Sequence, residues 1–281
     1  MQPLSWLFIV VVLLAQPCLA QKSNDSASWK EVQPGQEATG SGAAQEDTQP
    51  PPTPQLKGAI EHVEVMPPVD ERLRPGATFD ENLLPTQEPN NQWYKIPEWF
   101  AGTWQTEEQT TVAVYDYAAG TKTKTRRRQM AKAQDFKGFQ RDRKGNIWQF
   151  ASAPFTNRVE GDDHISVQIV RVFEPLEVTE DTVVQRFVGT TIRVSKLSGK
   201  IMDVSQDESI QTYYPVQPGI VRCNGSLKTF GPDGKPISLH KVVAYSTKVA
   251  NFTPTNTYNG HDMKRLFKEF LFSRGMTYLC P

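Results

Sequence analysis

The sequence is short of the residues that most enzymes use to hold a metal or attack a substrate. It has three cysteines and four histidines in 281 residues. From Trp93 onward His164, His240 and His261 each stand alone. There is no H-E-x-x-H, no G-x-S-x-G and no Gly-rich phosphate loop. Two cysteines without clustered histidine do not make a zinc site. The sequence therefore points away from catalysis, and it calls for neither cofactor nor metal. Asp162-Asp163-His164 is the nearest approach to a metal or base cluster, and it reads as a hydrophilic turn. No strand–helix–strand alternation appears either, which argues against a parallel nucleotide-binding sheet.

Long apolar runs are also missing. Leu7 to Ala15 is unbroken but far below the roughly 20 residues that a bilayer needs. It is followed by Cys18-Leu19-Ala20, a small-x-small cleavage site. Residues 1–20 are therefore expected to be a removed signal peptide. The protein is expected outside the cytosol, periplasmic or extracellular, with no transmembrane segment after cleavage.

Net charge is absent only in sum. The chain totals zero, yet Gln21 to Gln92 holds five basic and twelve acidic residues, against 26 and 19 from Trp93 on. An acidic tail precedes a basic body. The tail is rich in Pro, Gln, Glu and Ser, with Pro50-Pro51-Pro52 and Gly40-Ser41-Gly42. Such a segment buries too little apolar surface to offset its chain entropy. Residues 21–92 are expected to be a disordered linker, and residues 93–281 the folded domain.

That domain reads as all-β. Strands are expected near 102–117, 121–134, 147–152, 164–173, 182–194, 210–214, 220–230 and 237–249. Their separators include Ala118-Ala119-Gly120, Asp142-Arg143-Lys144-Gly145-Asn146 and Gly231-Pro232-Asp233-Gly234-Lys235. In the last strand Ile237, Leu239, Val243, Tyr245 and Val249 fall on one face, and Ser238, His240, Ser246 and Lys248 on the other. One helix follows. Met263, Leu266, Phe267, Phe270 and Leu271 form its apolar stripe, Asp262 or Asn259 caps its start, and Gly275 ends it. Met276 to Leu279 reads as a short extended piece.

The opening Ile96-Pro97-Glu98-Trp99-Phe100-Ala101-Gly102-Thr103-Trp104 carries a short turn and a Gly-x-Trp motif. With eight antiparallel strands and one late helix, it resembles the lipocalins of the calycin group. It also resembles exported bacterial proteins with the same Trp-Phe-Ala-Gly-Thr-Trp opening, from which no function carries over. The resemblance implies an eight-stranded antiparallel barrel in which Trp104 packs at the base of the first strand and a late basic residue covers it. Arg274 is the nearest candidate for that residue. It further implies a disulfide from the C-terminal piece to a barrel strand, Cys223 to Cys280. An oxidising compartment favours the same pairing, and two buried free thiols are the alternative. An outer-membrane barrel fits less well, because many strands mix charge on both faces.

Two surfaces stand out. A barrel interior is the default ligand site, and Trp104, Trp148, Phe150, Val243 and Tyr245 are candidates to line it for a small apolar ligand, or simply to fill the core. Glu108 shares the Trp104 face and is expected to be exposed by a bulge. The second surface is the basic hairpin 121–144. Lys122, Lys124, Arg126 and Arg128 alternate, with Arg127 opposite, and Lys132, Lys137, Arg141, Arg143 and Lys144 extend the charge. Cations crowded on one face suit an anionic envelope component or the protein's own acidic tail. They also suit a solvated edge guarded against strand addition. Nucleic acid is not an expected partner, because no aromatic–basic platform is evident.

Overall fold

The computed structural model describes residues 61–84 and 88–281. The expected signal segment and most of the expected linker lie outside the described residues. Among the described residues the strands are β1 (Asn90–Ile96), β2 (Gly102–Asp116), β3 (Thr121–Lys137), β4 (Gln140–Arg141), β5 (Ile147–Ala153), β6 (Phe155–Glu160), β7 (His164–Val178), β8 (Val183–Ser195), β9 (Ile201–Gln217), β10 (Ile220–Phe230), β11 (Pro236–Ala250), β12 (Thr257–Tyr258) and β13 (His261–Asp262). One α-helix follows, α1 (Met263–Ser273).

The all-β fold with one late helix is what forms. Eight antiparallel strands make one sheet in the order β3–β2–β11–β10–β9–β8–β7–β6. The first and last long strands of the meander, β2 and β11, are neighbours, as in an up-and-down barrel. The sheet nevertheless does not close: β3 and β6 are both edges. The reason lies in the chain between them. β5 spends its hydrogen bonds on β1 and β4, forming a separate three-stranded sheet, and cannot zip β3 to β7. The cis Ala153–Pro154 bond separates β5 from β6. Strand β6 thus takes the sheet position that the sequence suggested for β5.

Turn chemistry sets the hairpins. Asp116 Oδ1 accepts from the Ala118 and Ala119 amides at 2.9 and 3.0 Å, and Gly120 takes φ +62° to return the chain into β3. Helix α1 follows its sequence signals closely. Asp262 accepts from Arg265 N at 3.0 Å, Met263, Phe267 and Leu271 are fully buried, and Gly275 follows the helix at φ +68°. The apolar stripe packs on Trp93, Phe139, Trp148 and Phe150 of the small sheet and its approach. The piece after the helix is a 3-10 turn, Thr277–Leu279, rather than extended.

The expected linker boundary at 92 is too late. His62–Pro281 falls in one compact unit. Residues 62–84 run as a strap across the outer face of β7 to β10. Leu73, Val69, Ala77, Phe79 and Leu83 pack on Val167, Ile169, Ile192, Val194, Ile201 and Val204. Met66 packs on Val188 and Phe230. Backbone bonds pin the strap: Met66 N to Gly234 O at 2.9 Å, Val69 N to Pro232 O at 2.8 Å, and Ile201 N to Ala77 O at 2.8 Å. A Cβ on Gly234 would lie 1.9 Å from the Met66 carbonyl oxygen, so a glycine is required where the strap crosses the β10–β11 turn.

A buried ion cluster fastens the start of the strap. Glu208 accepts from Arg186 Nε at 2.6 Å and Val63 N at 2.8 Å, and its carboxylate lies 3.0 Å from His62 Nδ1. Burial opposes ionisation of Glu208, but these hydrogen bonds outweigh it and hold the carboxyl down at about 2. Among the described residues no helix is long and apolar enough to cross a membrane.

Candidate functional site: an aromatic chamber inside the open barrel

Strand register decides which side chains face inward. Trp104, Thr106, Ala133 and Asp135 face each other across β2 and β3. Tyr213, Cys223 and Ala244 line up across β9, β10 and β11. Phe173, Phe187 and Ser209 do so across β7, β8 and β9. All of them line one cavity of about 140 Å³. Its floor is the turn after β1, where Phe100 and Ala101 donate backbone bonds to Pro97 and Glu98. Trp104 stands on that floor and donates Nε1–H to Phe100 O at 2.9 Å. Lys248 covers the indole, its Nζ 4.8 Å from the ring centroid. Arg274, the sequence candidate for that position, instead lies over Phe270 of α1.

The chamber is walled by Phe100, Trp104, Phe136, Phe150 and the stacked pair Phe173–Phe187, whose centroids are 4.5 Å apart. One charged pair lies among the neutral lining residues. Lys137, with a side chain 7 % exposed, pairs with Asp135 Oδ2 at 2.6 Å and donates to Gln185 Oε1 at 3.4 Å. Its ammonium also sits 5.1 Å from the Tyr213 ring and 5.3 Å from the Phe100 ring. Gln185 is fully buried and fixed from its other end, donating Nε2–H to Tyr94 OH at 2.7 Å. Burial raises the Tyr94 and Tyr213 hydroxyls above their usual range. It also pushes the Cys223 thiol up to about 12, against the pull of Lys137. These groups stay neutral and unreactive at physiological pH. None of these three groups is activated as a nucleophile.

The sequence candidates divide. Trp104 and Phe150 line the chamber. Trp148 does not: it is buried under α1, where its Nε1–H donates to Asp142 at 3.0 Å. Val243 and Tyr245 point outward. Register pairs Ala244 with Cys223, so Ala244 and Ser246 are the inward residues of β11, and Tyr245 is 54 % exposed. The apolar face of β11 is its outer face. The expected Cys223–Cys280 bond is not formed. Both thiols are free, because Cys223 lines the chamber while Cys280 packs in the cluster beneath α1.

By sequence Lys137 belongs with the surface cations of the hairpin, yet it is the inward end of β3. The signal that locates it is the run of small or polar inward residues Gln129, Ala131, Ala133 and Asp135 at spacing two. Tyr94, Gln185 and Tyr213 carry no comparable mark.

The hairpin cations Lys122, Lys124, Arg126 and Arg128 are all exposed. Register places Lys122, Lys124 and Arg128 on the outer face with Lys241, and Arg127 opposite. Arg126 sits in a bulge between Lys124 and Arg127, so it leaves the strict alternation. A second bulge, between Thr106 and Glu108, exposes Glu108 as expected. Comparison with protein-family models, characterised proteins and solved structures returns no match to this chain.

Proposed function

We propose that the protein binds one small apolar molecule inside the open barrel, in the manner of a lipocalin, and does not transform it. The observation that carries this is the 140 Å³ aromatic chamber. A cavity of roughly 150 Å³ lined by apolar side chains stays dry and accepts benzene. Three features support the lipocalin-like reading: β2 beside β11, Gly102-x-Trp104 above a turn that floors the barrel, and a cation stacked on the tryptophan. Export of the protein is part of the same proposal and rests on residues 1–20. Native mass spectrometry of the gently purified protein tests it. The expected result is an added mass on the order of a hundred daltons that is lost on denaturation. An unliganded protein whose tryptophan emission responds to no small arene would overturn it.

A second reading concerns the outer face of the β2–β3 hairpin as a contact for an anionic envelope surface. Its support is that Lys122, Lys124 and Arg128 share that face with Lys241, and none has an ion pair among the described residues. Co-sedimentation with anionic vesicles should then fall steeply as salt rises. It should vanish when Lys122, Lys124 and Arg128 become glutamine. Binding that ignores salt would remove this reading.

A further inference from the structure

The chamber carries one charged pair, Lys137 and Asp135, among walls that mix aromatic rings with neutral polar groups such as Ser209 and Gln211, and the geometry of the pair is lopsided. An ammonium has three protons to donate. Asp135 takes one at 2.6 Å. Gln185 takes another only at 3.4 Å, and Gln185 is held at that distance by its bond to Tyr94. The aromatic faces of Phe100 and Tyr213 attract the cation but accept no conventional hydrogen bond. Lys137 Nζ therefore retains donor capacity on the cavity side. Asp135, half-exposed, already balances the charge. A second carboxylate at the same nitrogen would crowd the first, whereas a neutral acceptor meets no such repulsion. The volume, close to that which holds a benzene ring, limits the buried part of a ligand to about one ring.

We infer that Lys137 is the polar anchor of the chamber, and that its ligand class is a neutral, single-ring molecule with one carbonyl or similar acceptor. The inference rests on the binding role proposed above. Lys137 orients the ligand through its acceptor, and the ring fills the space between Trp104, Phe136 and Phe187. An acceptor-free arene of the same shape still enters, but without the anchor.

The test uses the full chain and three probes: acetophenone, ethylbenzene of nearly the same shape without the acceptor, and benzoate. Affinities are read by calorimetry for the wild type and for Lys137→Met. Acetophenone should weaken by about tenfold or more in Lys137→Met, the effect of losing a hydrogen bond to a charged donor. Ethylbenzene should bind both proteins equally or favour the variant. Equal acetophenone affinities in the two proteins, with ethylbenzene bound by both, would overturn the anchor and leave the binding role standing. Binding of no probe by a folded wild type would overturn the binding role itself. Wild-type preference for benzoate over acetophenone would overturn the neutral class. Asp135→Asn, which retains the lysine, serves if Lys137→Met does not fold. It should raise benzoate affinity at least severalfold while leaving ethylbenzene unchanged, and no change in benzoate would contradict the balancing role of Asp135.

Discussion

The two faces of β8 and β9 are both buried but built from different chemistry. The outer face carries Val188, Ile192, Val194, Ile201 and Val204, sealed by the strap 62–84. The inner face mixes apolar Val183 and Phe187 with Gln185, Asp207, Ser209, Gln211 and Tyr213, all buried. In a packed barrel the apolar side would be the inside. Here the apolar packing is divided: one cluster lies outside beneath the strap, and another, with Phe100, Trp104, Val183 and Val221, lies inside beside the polar groups. The strap supplies a second apolar layer on the outer face, so the inner cluster need not carry the whole core. The interior keeps a cavity with placed polar groups, the composition that the proposed binding role calls for.

That contrast is easiest to break from the outside. Ile192 is fully buried beneath the strap. Ile192→Ala should cost about 3 kcal/mol in urea unfolding. A loss below about 1 kcal/mol would mean that the strap does not carry the core.

The inner face has its own signature in pH. Burial raises the Asp207 carboxyl to about 6, against hydrogen bonds from Thr229 and Ser205. Below about pH 3 both folded and unfolded Asp207 are protonated and folding bears no charge penalty. As pH rises from there to about 6 the unfolded chain ionises first, so stability falls, by at most about 3 kcal/mol. Asp207→Asn removes the titration. Its stability relative to wild type should therefore rise between pH 4 and pH 7, and parallel pH curves would contradict the raised carboxyl of buried Asp207.

Glu208, one residue on and facing outward, behaves oppositely. Its depressed carboxyl contributes stability above pH 4.5 that is lost as pH falls toward about 2. Glu208→Gln should cost about 2 kcal/mol at pH 7. The loss should shrink as pH is lowered through that window, whereas a pH-independent loss would place the effect in packing. The smallest effect on stability belongs to Ala133→Leu, which fills the chamber from β3. It should shift stability by about 1 kcal/mol or less and abolish ethylbenzene binding, separating site from scaffold.

The sequence exposes some of this and hides the rest for physical reasons. Helix α1 was legible because its stripe, cap and terminal glycine all agree. Most long strands were legible from their turns, but only 210–214 of β9 was expected where Ile201–Gln217 forms, because its buried Gln206, Asp207, Glu208 and Ser209 give no apolar row. The strap was not, because Val63, Met66, Val69, Leu73 and Phe79 are spread thinly among Pro and Glu, and their worth depends on a partner face far away in sequence. Strand β11 misled through a sound rule applied to an unusual fold. Its regular apolar row, Val243 and Tyr245 included, marks the outer face, while the inner face needs only Ala244 and Ser246 because the space beside them is the chamber. Of the site itself, Trp104 and Phe150 were readable as aromatic strand residues. Lys137 was masked by the cationic hairpin in which it ends.

Whether the interior is hollow is the point on which everything else turns, and a crystal structure under xenon pressure measures it. Xenon enters apolar cavities and leaves packed cores empty. The account predicts a xenon atom bounded by Trp104, Phe136 and Phe187. Side chains packed across that space, or ordered waters bonded to Ser209 and Gln211 with no xenon, would contradict it.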